Sequence, residues 1–190
     1  MIVSPIPLLG VCAYSGTGKT TLLTQLIPLL KDRGLRIAVI KHAHHHFDLD
    51  QPGKDSYELR KSGADQTVIC THSRMAWISE FDEPAKEPSL AQIVEQFRPD
   101  SVDLILVEGY KTEKIPKIEL HRQALKKPLM FPEDDSVIAL ACDHCEGSDF
   151  PLTCLDINSP QAVADFIYGL INTENNVLKN AASYAIEIDA

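Results

Sequence analysis

The stretch that decides the fold is Pro7-Leu8-Leu9-Gly10-Val11-Cys12-Ala13-Tyr14-Ser15-Gly16-Thr17-Gly18-Lys19-Thr20-Thr21. Its first half is a short apolar run, suited to a buried strand. Its second half follows the phosphate-loop pattern G-x-x-x-x-G-K-[ST], with Ala13 in place of the first glycine. Ala13 ends the strand, where a small side chain suffices. Gly16 and Gly18 permit backbone angles that turn the N–H groups of Ser15 to Lys19 inward as an anion nest. A helix beginning after Gly18 adds the positive end of its dipole. In this pattern Lys19 sets its ammonium on the β and γ phosphates. The Thr20 hydroxyl ligates Mg2+, and Thr21 reaches an α-phosphate oxygen. The segment therefore predicts a site for a nucleoside triphosphate with Mg2+.

Outward from the loop, apolar residues recur at Leu22, Leu23, Leu26, Ile27, Leu29 and Leu30, and Gly34 follows as a C-terminal stop. Pro28 lies inside this helix and predicts a kink, because it has no N–H for the carbonyl of Thr24. Ile37 to Ile40 reads as a second strand. Asp55 with Glu58 has the spacing of a capping box opening a helix to Lys61. Gln66–Cys70 and Met75–Glu80 read as strands about a turn at Thr71–Arg74. Residues 82–88 read as a loop. Leu90–Phe97 reads as a helix, and Val102–Val107, Lys117–His121 and Val137–Ala141 as buried strands. Pro160–Ile171 is amphipathic, with Ala162, Val163, Phe166, Ile167, Leu170 and Ile171 on one side. Strands alternating with helices predict an α/β fold with a mostly parallel sheet and helices on both faces. Ligands of such sheets sit beyond the C-terminal strand ends, where these motifs fall. One nucleotide-binding domain is expected over residues 1–174, with a polar tail over 175–190.

Composition bounds the partners. The chain has 190 residues, 44% hydrophobic and 24% charged, as in a globular domain. No apolar run is long enough to cross a membrane, and Met1–Leu9 has no signal-peptide pattern. Of the net charge of −9, residues 133–190 carry −10 and the rest +1. An acidic last third repels phosphodiester backbones, so nucleic acid is not an expected partner. That third reads as a solvated face, or as a docking surface for a basic partner. Five cysteines without a leader fit a reducing, cytoplasmic setting. Cys142-Asp143-His144-Cys145 has metal-like spacing but no second pair, and reads as a loop after a strand.

Other strand ends add candidates. Lys41-His42-Ala43-His44-His45-His46 follows the second strand and runs into Phe47-Asp48-Leu49-Asp50-Gln51-Pro52-Gly53-Lys54-Asp55. Lys41 and His42 are expected to contact phosphate, and Asp48 or Asp50 to hold the Mg2+ water shell. A solvent-facing loop of histidines accounts for the first segment equally well. Asp103-Leu-Ile-Leu-Val-Glu108-Gly109-Tyr110-Lys111 is an apolar strand ending in a carboxylate. Glu108 is the candidate to hold Mg2+ or orient water, as acids do in phosphate-loop enzymes. Gly109 lets the backbone pass close to ligand or sheet. The guanine-reading Asn-Lys-x-Asp of Ras-type GTPases is absent. Asp143, just past a strand, could instead accept from N1–H and N2–H of guanine, or be a plain loop residue.

Taken together, Ser15–Thr21, Ile40-Lys41-His42, the His-rich turn, Asp50-x-Pro-Gly-Lys-Asp-Ser56 and Asp103–Lys111 resemble the MobB family of molybdopterin-guanine dinucleotide biosynthesis adaptor proteins. Ser62-Gly63-Ala64 and Lys117-Ile118-Glu119 fit as well. The resemblance implies a three-layer P-loop NTPase fold, a homodimer, GTP and Mg2+. It also implies a partner, the guanylyltransferase that joins GMP to molybdopterin, and weak GTP hydrolysis at most. It carries over Thr20 with a nearby acid at Mg2+ and the turn at Gly109. On this reading Lys19 and Glu108 carry whatever hydrolysis there is. The His-rich and Pro-Gly-Lys-Asp segments, the latter with Lys54, and Lys111 and Lys114 offer cations to a second anionic ligand, a molybdopterin-type phosphate. Apolar strands around Cys70 and Met75–Ile78, with the single Trp77, are the expected dimer contact. Three rivals stand beside this reading, one of them a structural relic that binds nucleotide without switching. A P-loop small-molecule kinase needs an arginine-rich lid, yet Arg60, Arg74, Arg98 and Arg122 are scattered, and none is expected at the loop. A metallochaperone GTPase would use His42 and His44–His46.

Overall fold

The structure is a computed structural model and describes residues 2, 4–43, 48–81, 87–144, 150–172 and 178. His44–His46, Phe47, Cys145 and most of the tail beyond Asn172 lie outside the described residues. Two compact units are present, one built from the chain up to His42 and from Leu90 onward, the other from Ala43–Ser89.

The first unit holds a six-stranded sheet. Its strands are β1 Leu8–Ala13, β2 Ile37–Lys41, β5 Leu104–Glu108, β6 Lys117–His121, β7 Val137–Cys142 and β8 Thr153–Asp156. The order across the sheet is β2-β5-β1-β6-β7-β8, and all five neighbouring pairs are parallel. Alternation along β1 and β5 feeds two cores. Leu9, Val11, Leu104 and Leu106 face helices α1 (Lys19–Asp32) and α4 (Pro160–Asn172), which supply Leu22, Leu26, Leu30, Val163 and Ile167. Leu8, Ile105 and Val107 face the other way, onto Leu90 and Val94 of α3 (Leu90–Val94) and onto Ile2 and Ile6. The sheet is thus covered on both faces. The core strands read as continuous apolar runs for that reason.

Helix α1 runs from Lys19 through Pro28 to Asp32. Its end is a Schellman turn: the Gly34 amide donates to the Lys31 carbonyl (2.9 Å) and the Leu35 amide to Leu30 (3.3 Å), with Gly34 at φ +87°. Helix α3 stops at Val94 rather than Phe97. There the amides of Gln96 and Phe97 switch to carbonyls three residues back, which tightens and ends the turn.

The second unit comprises α2 (Asp55–Lys61) and an antiparallel hairpin of β3 (Gln66–Cys70) and β4 (Met75–Ser79). The expected capping box does not form. Lys54 is the N-cap, no side chain caps the helix, and the Glu58 carboxylate accepts from the Gly53 amide instead (3.3 Å). Inside this unit the buried Arg60 guanidinium binds Asp48 through both carboxylate oxygens (2.6 and 2.8 Å) and Glu80 (2.6 Å). Asp48 is therefore an internal counter-charge here. One hairpin face exposes Val68 opposite Trp77 and Cys70 opposite Met75.

Candidate functional site

The loop between β1 and α1 has the conformation its sequence predicts. Gly16 and Gly18 stand at φ +83° and +95°, where side chains are disfavoured. Thr17 is buried and turns inward, its hydroxyl donating to the Tyr14 carbonyl (2.8 Å). Ser15, Gly16, Thr20 and Thr21 face solvent. Helix α1 begins at Lys19, so its first amides have no carbonyl behind them in the helix and point to the mouth of the loop. This donor set fits the phosphates of a nucleotide.

The strand neighbours of β1 complete the mouth. Lys19 Nζ lies 3.5 Å from Glu108 Oε1, and Lys41 Nζ lies 3.7 Å from Glu108 Oε2. The second contact follows from register, since Lys41 pairs directly with Glu108 across β2 and β5. The His42 amide donates to the Glu108 carbonyl (2.8 Å), and the His42 ring stacks on Tyr110 (4.8 Å). A side chain at Gly109 would put its Cβ 2.5 Å from His42 Cβ, and φ there is +99°. Gly109 is thus demanded by the approach of β2 to β5. Lys19, Lys41, His42, Glu108 and Gly109 are all gathered here as the sequence suggests.

On the other flank the sequence singled out Asp143, but not Arg122 or Asn158. Arg122, directly after β6, donates from Nε to the Thr17 carbonyl (3.0 Å) and from Nη1 to Asn158 Oδ1 (3.1 Å). Asp143, directly after β7, sits 3.8 Å from Arg122 Nη1 and accepts from the Gln123 amide (3.1 Å). The expectation that no arginine lies at the loop is corrected. Arg122 is in contact with it, across 105 residues of sequence.

The connection that carries Arg122 is firmly anchored. Buried Glu119 accepts from the amides of Met130 (2.8 Å) and Phe131 (2.9 Å). Burial pushes its carboxyl above the ordinary range, against those two amides. Lys117 is buried and donates to Asp134 (2.7 Å) and Ser136 (2.8 Å). Burial works against ionisation of Asp134, but the bonds from Lys117 and Ser136 overcome it and hold its carboxyl well below the ordinary range. Lys114 is spent on Asp134 (3.2 Å) and Asp135 (2.6 Å), so it does not serve as the cation expected for a second ligand. Lys127 stands closer to the loop. Its Nζ and that of Lys111 lie 5.9 and 5.6 Å from the ring of Tyr14.

Asp50 and Lys54 belong to the second unit. Asp50 Oδ1 accepts from the Gln51 amide (2.9 Å), while Oδ2 is buried without a hydrogen bond. No cluster of three or more His, Cys, Asp or Glu suited to a metal occurs among the described residues. Mg2+ does not need one, since it keeps several waters and takes one or two protein oxygens with substrate phosphates. Thr20 and Glu108 at the loop fit that pattern. Burial raises the Cys12 thiol to about 12, which makes it inert at neutral pH.

A glycine nest opening a helix, a lysine inside it and an acid at the end of the adjacent parallel strand define a nucleotide-binding protein of the P-loop α/β class. Within that class the chain belongs to the MobB family: residues 8–143 match the family model described as molybdopterin guanine dinucleotide synthesis protein B. It is 46% identical to the molybdopterin-guanine dinucleotide biosynthesis adapter protein of Haemophilus influenzae, covering 85% of this chain and 88% of that one. Identity to the Escherichia coli protein of the same name is also 46%, covering 90% and 96%. A crystal structure of molybdopterin-guanine biosynthesis protein B superposes with a TM-score of 0.69 at 26% identity, over 87% of this chain and 99% of that one.

Proposed function

We propose that this protein is a GTP-binding adaptor in molybdenum cofactor biosynthesis that assists the guanylyltransferase attaching GMP to molybdopterin. The observation that carries the reading is the glycine nest with Lys19 held 3.5 Å from Glu108, in a chain of this family. Ser15 to Thr21 cradle the phosphates through backbone amides. Lys19, with Lys41 and His42 beside it, supplies positive charge. Thr20 and Glu108 are the protein oxygens that would hold Mg2+, which would neutralise phosphate charge there.

Hydrolysis is weak in this account. Fast GTPases direct an arginine at the transferred phosphate. Arg122 is instead tied to Thr17 and Asn158. Lys111 and Lys127 at Tyr14 supply the cations for a second, molybdopterin-type anionic ligand. Two copies associate through the hairpin face bearing Val68, Met75 and Trp77, which are 49%, 67% and 57% exposed. The protein works in the cytoplasm.

The test is reconstituted GMP transfer by the guanylyltransferase, with and without this protein. Stimulation that is lost with Lys19→Ala supports the adaptor role. Unchanged transfer at saturating adaptor contradicts it.

A further inference from the structure

Accepting that the loop holds GTP, we infer that Asp143, Asn158 and Arg122 form the site that reads the guanine base. Direction comes first. Lys19 and Glu108 mark the end of the loop that faces β5, where the terminal phosphate is held. The nucleoside leaves on the opposite side, over the ends of β6, β7 and β8. Those three ends carry Arg122, Asp143 and Asn158.

Hydrogen-bond valence then selects the base. A guanidinium is donor-only, so the Asn158 atom that meets Arg122 Nη1 is its oxygen, which leaves the Nδ2 amide as the donor end. Asp143 uses Oδ1 for the Gln123 amide. Its Oδ2 stands 3.8 Å from the same Arg122 nitrogen, beyond direct hydrogen-bonding distance, and keeps accepting capacity. Asp143 is only partly buried and Asn158 is exposed, so both are accessible to a ligand. Around one arginine nitrogen stand an acceptor held by the Gln123 amide and a donor-bearing amide held by Arg122 itself. Guanine presents the complement: N1–H and N2–H for the carboxylate, and O6 for the amide. Adenine presents the reverse at both places, an amino donor at position 6 and an acceptor at N1. Arg122 is the positioning residue. Its bond to the Thr17 carbonyl locks the base reader to the phosphate loop.

Asp143→Asn tests the assignment, because asparagine keeps an oxygen for Gln123 and so spares the fold. Xanthine replaces the guanine amino group with a carbonyl, which an amide can serve and a carboxylate repels. Calorimetric titration of GTP, XTP and ATP with Mg2+ should show wild type preferring GTP. In the variant GTP binding should fall about tenfold or more and XTP binding should rise by a similar factor, with an unchanged melting temperature. Parallel loss of GTP and XTP, or no change in either, overturns the inference. Wild type that binds GTP and ATP equally overturns it too, while leaving the phosphate loop intact. Failure of every nucleotide to bind wild type is a different result, since it removes the GTP reading itself.

Discussion

Lys19 Nζ stands 3.5 Å from Glu108 Oε1, and both side chains are largely shielded from water, at 20% and 16% exposure. The glycine nest alone would leave the lysine free to point elsewhere. Glu108 aims it across the mouth of the loop, and Lys41 shares the same carboxylate at 3.7 Å. On the proposed reading, nucleotide binding would exchange this pair for phosphate oxygens and free Glu108 for Mg2+ or water.

Glu108→Gln separates those roles. The amide no longer holds Lys19 by charge and is a poor partner for a hard cation. GTP binding without Mg2+ is expected to strengthen or stay level. The gain produced by adding Mg2+ should shrink about tenfold, as for loss of one charged contact. Paired titrations with Mg2+ and with chelator measure both. An unchanged Mg2+ effect would remove Glu108 from the metal site.

Gly109→Ala is expected to destabilise the fold by about 3 kcal/mol, because the new Cβ needs both an unfavourable φ and the space of His42. The melting temperature should fall by roughly 6–12 °C. A shift within about 2 °C would mean that β2 and β5 part at little cost.

Asp134→Asn leaves the buried Lys117 ammonium without its counter-charge and should cost about 3 kcal/mol at neutral pH. The depressed carboxyl of Asp134 stabilises the fold fully above its ordinary 3.8, and that part is lost as pH falls through the native value. The stability gap between wild type and variant should therefore stay level above pH 4 and close only in stronger acid. Glu119 runs the other way, because its raised carboxyl favours the fold below the ordinary 4.5 and loses that as pH rises. Urea titrations across this range in the two proteins isolate the Asp134 part.

Trp77→Asp should convert a dimer to monomer in size-exclusion chromatography with light scattering, since it sets a charge at the centre of the exposed hairpin face. Wild type that runs only as monomer at micromolar concentration would contradict the proposed contact.

Much of this was legible along the chain. Ser15 to Thr21 announce the nest, and Glu108-Gly109 announces the end of an apolar strand. Both are local signals, in which residue type and strand position coincide. Strand β8 (Thr153–Asp156) was not legible: it has four residues at the sheet edge, of which only Leu155 is buried, so no periodicity marks it. Arg122 was missed for a different reason. Its partners Thr17, Asp143 and Asn158 come together only through the parallel order of β1, β6, β7 and β8, and no spacing in sequence encodes that meeting. Lys114 looked like a free cation because Asp134 and Asp135, which neutralise it, arrive from the far end of the next connection, beyond β6.

The most direct test of the account is calorimetric titration of GTP, then ATP, into the protein with Mg2+, with Lys19→Ala as control. Selective GTP binding that disappears in the variant is the predicted result. ATP binding as tight as or tighter than GTP would contradict the adaptor reading and favour a kinase on the same phosphate loop.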